Sequence, residues 1–325
     1  MKNFIMKIIS YLFFLVVIIT VISFFYNQKH KSIGHEIDKF LMVPNGIKIC
    51  NLGSSHGKRD YNYDDIKDEY TCFNFGISSQ SLSYDERIVE TYYDKIDRGG
   101  VVIIPISYFS ILGINETDTS NFKKKNARYY LFLPPEKIKK YSFIQDIRVN
   151  YFKSLDGEPL HIIKQILNLE VDTPFYNSYE EIYDVVNQEN IDENAYAAAE
   201  RHIVVDKRDT NGNIILNQEE IQSIFEIVRL CKNKEITPIL VTSPFTRTYL
   251  EKINELDEEF YTEFYDCVYT ISDEVGVEYF DYSHDERFID DYTLFYDADH
   301  MNTVGAKKFT NLLYQEVIKE RLIDY

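Results

Sequence analysis

Two short stretches carry residues that could do chemistry together. The first is Gly53-Ser54-Ser55-His56-Gly57, where candidate nucleophiles stand between two glycines at the end of the apolar run Ile47–Leu52. The second, far along the chain, is Asp297-Ala298-Asp299-His300. A serine hydroxyl is a poor nucleophile until a base takes its proton and a third group holds that base in the right tautomer. Asp297 and His300 stand three apart, just before Asn302-Thr303, a pair suited to capping the last helix. On a tight turn this spacing lets Asp297 reach Nδ1 of His300 and leaves Nε2 free for a serine brought from elsewhere. Taken singly, the first stretch is a common pentapeptide with two candidate serines, and the second also reads as an Asp-rich surface loop.

The elements that must position these residues follow from the hydrophobic pattern. Five apolar, β-rich runs bounded by turn signals are expected to be strands: Ile47–Leu52, Tyr70–Phe75, Val101–Ile106, Thr237–Thr242 and Val277–Tyr282. Near-continuous hydrophobicity is typical of parallel strands buried on both faces. Helical spacing is expected over Asp85–Lys95, Gln218–Lys232, Tyr249–Val275 and Val304–Leu322. Strands alternating with helices imply an α/β sheet with right-handed crossovers, and such sheets carry their sites at the carboxyl ends of the strands. Ser55, Gly76, Ser107, Ser243 and the segment around Asp297 all follow strands, so they are expected at one edge.

The chain order resembles the SGNH (GDSL) hydrolase superfamily. Gly53-Ser54-Ser55 matches its first block, Phe73-Asn74-Phe75-Gly76 its second, and Asp297-Ala298-Asp299-His300-Met301-Asn302 its last. The resemblance implies a flavodoxin-like three-layer sandwich around a five-stranded parallel sheet. It makes Ser55 the nucleophile, His300 the base and Asp297 its partner, with the N–H groups of Ser55 and Gly76 forming the oxyanion hole. The third block, which supplies an asparagine in that family, here reads Pro105-Ile106-Ser107-Tyr108-Phe109, so Ser107 is the available substitute donor. An α/β-hydrolase elbow also fits Gly53–Gly57, but that elbow follows several strands and separates its acid from its histidine. Here the serine follows the first strand, and Asp297 and His300 are neighbours.

One anchor followed by an SGNH domain with Gly-Ser-Ser in its first block resembles the membrane-anchored branches involved in teichoic acid D-alanylation and polysaccharide O-acetylation. The resemblance implies a serine esterase or O-acyltransferase acting on acyl esters of cell-envelope polysaccharide or teichoic acid. It also implies a partner, a multispanning membrane O-acyltransferase. The missing third-block asparagine favours a second reading, a non-catalytic SGNH-like scaffold for such a partner.

Other residues have lesser expected roles. His56, Ser107 and Ser243 are candidates for lining the substrate site. Asp299 is expected to be structural or solvent-facing, and His161 and His202 lie in an aromatic, polar insertion at about 110–216 that is expected to cover the site edge. Helices are expected there over Glu136–Lys153 and Tyr179–Arg201, then a hairpin over Ile203–Leu216 turning at Asn211-Gly212. No metal or other cofactor is expected. The stretch Asp209–Ile214 lacks the terminal carboxylates of a calcium loop, and Cys50, Cys72, Cys231 and Cys267 have no metal-ligand spacing. Cys50 and Cys72 fall in neighbouring expected strands, where a disulfide is geometrically possible, although small apolar core thiols are the favoured reading.

The net charge of −18 excludes nucleic acid and anionic lipid headgroups as main ligands, because both would be repelled. From Ile8 to Tyr26 run nineteen residues without a charge, enough at about 1.5 Å each to reach roughly the 30 Å of a hydrocarbon core. The run ends Phe24-Phe25-Tyr26-Asn27-Gln28 with no small-residue cleavage site, so residues 1–31 are expected to be an uncleaved anchor in the lipid bilayer. A short linker helix is expected over 32–45 and an extracytoplasmic domain over 46–325.

Overall fold

A computed structural model describes residues 2–31, 37–114, 120–152, 167 and 188–323. These fall into two compact units, Met1–Met42 with Asp118–Ser178, and Val43–Thr117 with Tyr179–Tyr325.

The second unit is an α/β structure around five parallel strands: β1 (Ile47–Asn51), β2 (Cys72–Asn74), β3 (Ile96–Pro105), β4 (Thr237–Thr242) and β5 (Tyr279–Asp281). Their order is β2-β1-β3-β4-β5, the flavodoxin-like order. The winding reverses between β1 and β3, so the crevice beyond their carboxyl ends is the natural place for a site. Asn51 leads there into Ser55, and Pro105 into Ser107.

β3 is the central strand and reads as one, with Val101–Ile104 fully buried. Ile49, Val101, Ile103, Ile239 and Val241 pack on one face against Tyr61, Phe288, Phe309 and Leu313. Alternation turns Cys50, Val102, Ile104 and Leu240 to the other face. Each large apolar side chain so buried contributes about 1.5–3 kcal/mol. β3 begins earlier than its apolar run, at Ile96, and its register with β1 shifts between Ile47 and Ile49, a local irregularity beside Gly99-Gly100.

The expected helix Tyr249–Val275 is two helices, Arg247–Leu256 and Phe260–Val275. Asp257 breaks it: its backbone is extended and its side chain accepts the N–H of Glu259, an Asx turn that competes with the helix. Residues 82–95 form a helix, Leu82–Tyr92, and a 3-10 turn, Tyr93–Lys95. The last helix, Thr303–Leu313, continues through a π turn over Tyr314–Ile318. All four cysteines are free thiols.

The stretch 110–216 divides between the two units. Residues 118–178 group with the N-terminal segment, whereas the helix Gln188–Ile203 belongs to the sheet unit. In place of a helix over Glu136–Lys153 there is a 3-10 turn, Pro135–Lys137, and a helix, Phe143–Tyr151. Residues 179–187 and His161 lie outside the described residues. The expected hairpin reduces to a single Arg208–Ile214 bridge closed over the Asp209 side chain, because Ile203 is still helical.

In the first unit, Lys2–Lys31 is one helix, of which Lys2–Phe25 is long and apolar enough to cross a membrane. Of the expected linker helix, residues 32–36 lie outside the described residues, and Asp38–Met42 is a 3-10 turn whose Phe40 stacks on Phe132 at 4.0 Å.

Candidate active site

The turn after β1 is held from three sides. Gly53 has φ +106°, where a side chain is strained, and a Cβ there would lie 2.9 Å from Pro105 Cγ. Its N–H donates to Asp85 Oδ1 at 2.8 Å, and the Gln80 amide donates to the same oxygen at 2.5 Å. Burial raises the Asp85 carboxyl to about 7, against the lowering effect of those two donors. Ser55 then opens a short helix, Ser55–Arg59.

Two asparagines clamp that helix. Asn51 Nδ2 donates to Gly57 O at 2.6 Å, and Asn74 Nδ2 donates to Gly57 O at 2.9 Å, Lys58 O at 3.2 Å and Tyr61 O at 3.2 Å. Gly76 fits because it has no side chain; a Cβ there would run into the backbone of Gly57 and Lys58.

The second stretch forms a closed turn. Tyr296 N–H donates to His300 O at 2.9 Å, and Phe295 bridges Met301. Asp297 Oδ1 accepts the N–H of Asp299 at 3.2 Å and of His300 at 2.8 Å, so the carboxylate organises its own loop. Buried Asp60, at the end of the Ser55–Arg59 helix, ties the two stretches together. It accepts Met301 N–H at 3.0 Å and the Ser243 hydroxyl at 2.5 Å. Asn302 caps the last helix by accepting Gly305 N–H at 3.0 Å.

The structure brings Ser55, His300 and Asp297 into one line. Ser55 Oγ is 2.8 Å from His300 Nε2, and His300 Nδ1 is 2.9 and 3.0 Å from the Asp297 oxygens. Asp297 accepts, so Nδ1 carries a proton and Nε2 faces the serine. Burial pulls the His300 pKa down, but the Asp299 charge, the Asp297 hydrogen bond and Asp60 outweigh it and raise it to about 9.

The remaining expected residues follow their strands at the same edge, with their polar groups engaged by protein partners. Gly76 does not have a free N–H for an oxyanion, since it donates to Asn74 Oδ1 at 2.8 Å. His56, Ser107 and Ser243 do not line an open groove; their exposures are 1%, 4% and 3%. His56 Nδ1 is 2.6 Å from Ser107 Oγ and its Nε2 is 3.1 Å from Asp299 Oδ2. Asp299 is buried rather than solvent-facing, because three imidazoles surround it. His202 reaches this cluster from the helix Gln188–Ile203, with Nδ1 2.8 Å from the Tyr249 hydroxyl. Asn51, Asn74, Asp60 and Asp85 were not singled out from sequence. Of these, Asn74 stood in the second block, and only its partners across the fold reveal its role. Ser79, exposed in the turn that Ile77 N–H ties to Gly53 O, has φ +57°, a conformation that costs a non-glycine residue about 1–2 kcal/mol.

His56, Asp299 and His300 offer ligand atoms within 4.8 Å of one another. The ring nitrogens already have partners, His300 in Asp297 and Ser55 and His56 in Asp299 and Ser107, so a cation would have to displace one of them.

No protein-family model and no curated protein sequence matches the chain. Among solved structures, a catalytic mutant of Axe2, an acetylxylan esterase from Geobacillus stearothermophilus, is similar over 87% of this chain and 99% of its own, at 12% identity and a TM-score of 0.36. At that score the similarity carries no weight beside the strand order and side-chain geometry of this chain.

Proposed function

We propose that this protein is a serine esterase or O-acyltransferase, held in a membrane by its N-terminal helix and acting outside the cytoplasm on acyl esters of a cell-envelope polysaccharide or teichoic acid. The observation that carries the reading is the continuous Ser55–His300–Asp297 line, with 2.8 Å between Oγ and Nε2. Neutral His300 takes the Ser55 proton as Oγ attacks the acyl carbonyl, and the N–H of Ser55 receives the developing oxyanion. The leaving alcohol takes the proton from Nε2, which leaves an acyl-serine ester. A sugar hydroxyl or water then gives its proton to His300 and attacks that ester, and as the ester bond to Ser55 breaks, Nε2 returns the proton to Oγ.

The full-length chain in detergent, treated with a fluorescent phosphonate, is expected to form an adduct at Ser55. The adduct should be absent in Ser55→Ala and slowed roughly 10²–10⁴-fold in His300→Ala. Equal labelling of wild type and folded Ser55→Ala sinks the nucleophile assignment.

One observation favours the scaffold reading instead: the Gly76 N–H is already spent, leaving the Ser55 N–H as the expected donor still in place. Envelope acylation in cells separates the two. Unchanged acylation with Ser55→Ala, Asp297→Ala and His300→Ala leaves only a scaffold that partners a membrane acyltransferase.

A further inference from the structure

Asp299 immediately precedes His300 yet stands outside the Ser55–His300–Asp297 line. Its side chain is 4% exposed, against 24% for Asp297. A carboxylate this buried is costly unless something pairs with its charge. Around it stand His56 Nε2 at 3.1 Å, His300 Nδ1 at 3.6 Å and His202 Nδ1 at 3.9 Å. His202 does not supply the charge, since burial lowers it to about 3. The Asp299 carboxyl is nonetheless held well below the usual range: burial opposes ionisation, and the His300 charge and the His56 hydrogen bond overcome it.

We propose that Asp299 is a positioning residue, a second carboxylate that shares with Asp297 the task of holding the imidazolium form of His300 and fixes His56 through Nε2 so that Nδ1 faces Ser107. The proposal rests on the Ser55–His300–Asp297 reading above. Asp297 orients the ring through its hydrogen bonds; Asp299 adds charge from the buried side. An imidazolium forms each time Ser55 or the acceptor gives up its proton, and Asp299 stabilises it at that moment. The same charge keeps His300 protonated in the resting protein, where Nε2–H then donates to Ser55 Oγ. A raised histidine is a free base only above its own pKa, so the rate of Ser55 acylation rises with pH through that value. The titratable and charged groups around His300 and Asp299 are these two with Asp297 in one turn, His56 from the Ser55–Arg59 helix, Asp60 at its end, His202 from Gln188–Ile203 with Arg201 acting on it, and Tyr249 from Arg247–Leu256 near Asp299.

The test is an NMR titration of ¹⁵N-histidine in the full-length chain in detergent, alongside the pH profile of phosphonate labelling. Wild-type His300 is expected to titrate above neutrality. Asp299→Asn should lower that value by about 1–3 pH units, and Asp299→Glu should restore most of it. The alkaline rise in labelling rate should move in step, which a merely structural role would not produce. A shift below about 0.3 unit in Asp299→Asn, or a wild-type His300 titrating near the ~6.5 of free imidazole, overturns the proposal. If Asp299→Asn does not fold, the wild-type titration and Asp299→Glu decide. The titration needs no turnover: a shifted His300 with no label on Ser55 sinks the catalytic reading and leaves that of Asp299 standing.

Discussion

Asp85 sits beneath the turn that carries Ser55 with its carboxyl bonded to the Gly53 N–H and the Gln80 amide, and burial raises it to about 7. Between the unfolded value of about 3.9 and this folded value, the native state binds the extra proton. Stability therefore falls as pH rises through that window, and the loss is complete above the folded pKa. Asp85→Asn keeps an oxygen for both donors and carries no charge to bury. We expect it to raise stability above pH 7 by roughly 3–4 kcal/mol and to change it little near pH 4. Denaturant melts of both proteins across this range check it, and a gain of equal size at both ends contradicts the assignment. Asp60, another buried acid of the site, is also raised by burial, against the lowering pull of His56 and His300.

At the scale of elements, β1, β2 and the helix between them are joined by side-chain amides as well as by the strand ladder. Asn74 bonds the carbonyls of Lys58 and Tyr61, that of Gly57 together with Asn51, and the N–H of Gly76. Each buried polar group left unpaired costs about 1–3 kcal/mol. Asn74→Ala should therefore destabilise the sheet unit by about 3 kcal/mol or more and slow labelling of Ser55, because the helix that presents it loses its clamp. Calorimetry together with labelling rate checks this, and a stable variant with a normal rate refutes the clamp. The split of Tyr249–Val275 belongs to this scale too. Its apolar periodicity continues across Asp257, and only the Asx turn at Glu259 interrupts the backbone.

At the scale of the whole molecule, the helix Lys2–Phe25 presents exposed side chains such as Phe4, Tyr11, Phe13 and Phe24. Its 24 residues span about 36 Å at 1.5 Å per residue, more than a hydrocarbon core of ~30 Å requires. We expect the full chain to stay with membranes through alkaline carbonate washing, and a chain lacking residues 2–31 to be released. In intact spheroplasts, added protease should digest the sheet unit; complete protection would reverse the proposed orientation.

The sequence by itself determined the elements whose signals are local. Parallel strands buried on both faces show as unbroken apolar runs, a helix long and apolar enough to cross a membrane as an uncharged stretch, and Asp297 with His300 as a pair close enough to share one turn. In the structure Ser55 Oγ and His300 Nε2 lie 2.8 Å apart. What only the tertiary structure decided is where hydrogen-bonding capacity is spent. The Gly76 N–H goes to Asn74, the Ser107 hydroxyl faces His56, and Asp299 turns inward to three imidazoles. Each of these depends on groups brought together from remote parts of the chain. Residue type and local spacing carry no record of which donor meets which acceptor, and burial, which sets the charge those groups can hold, exists only once the chain is packed.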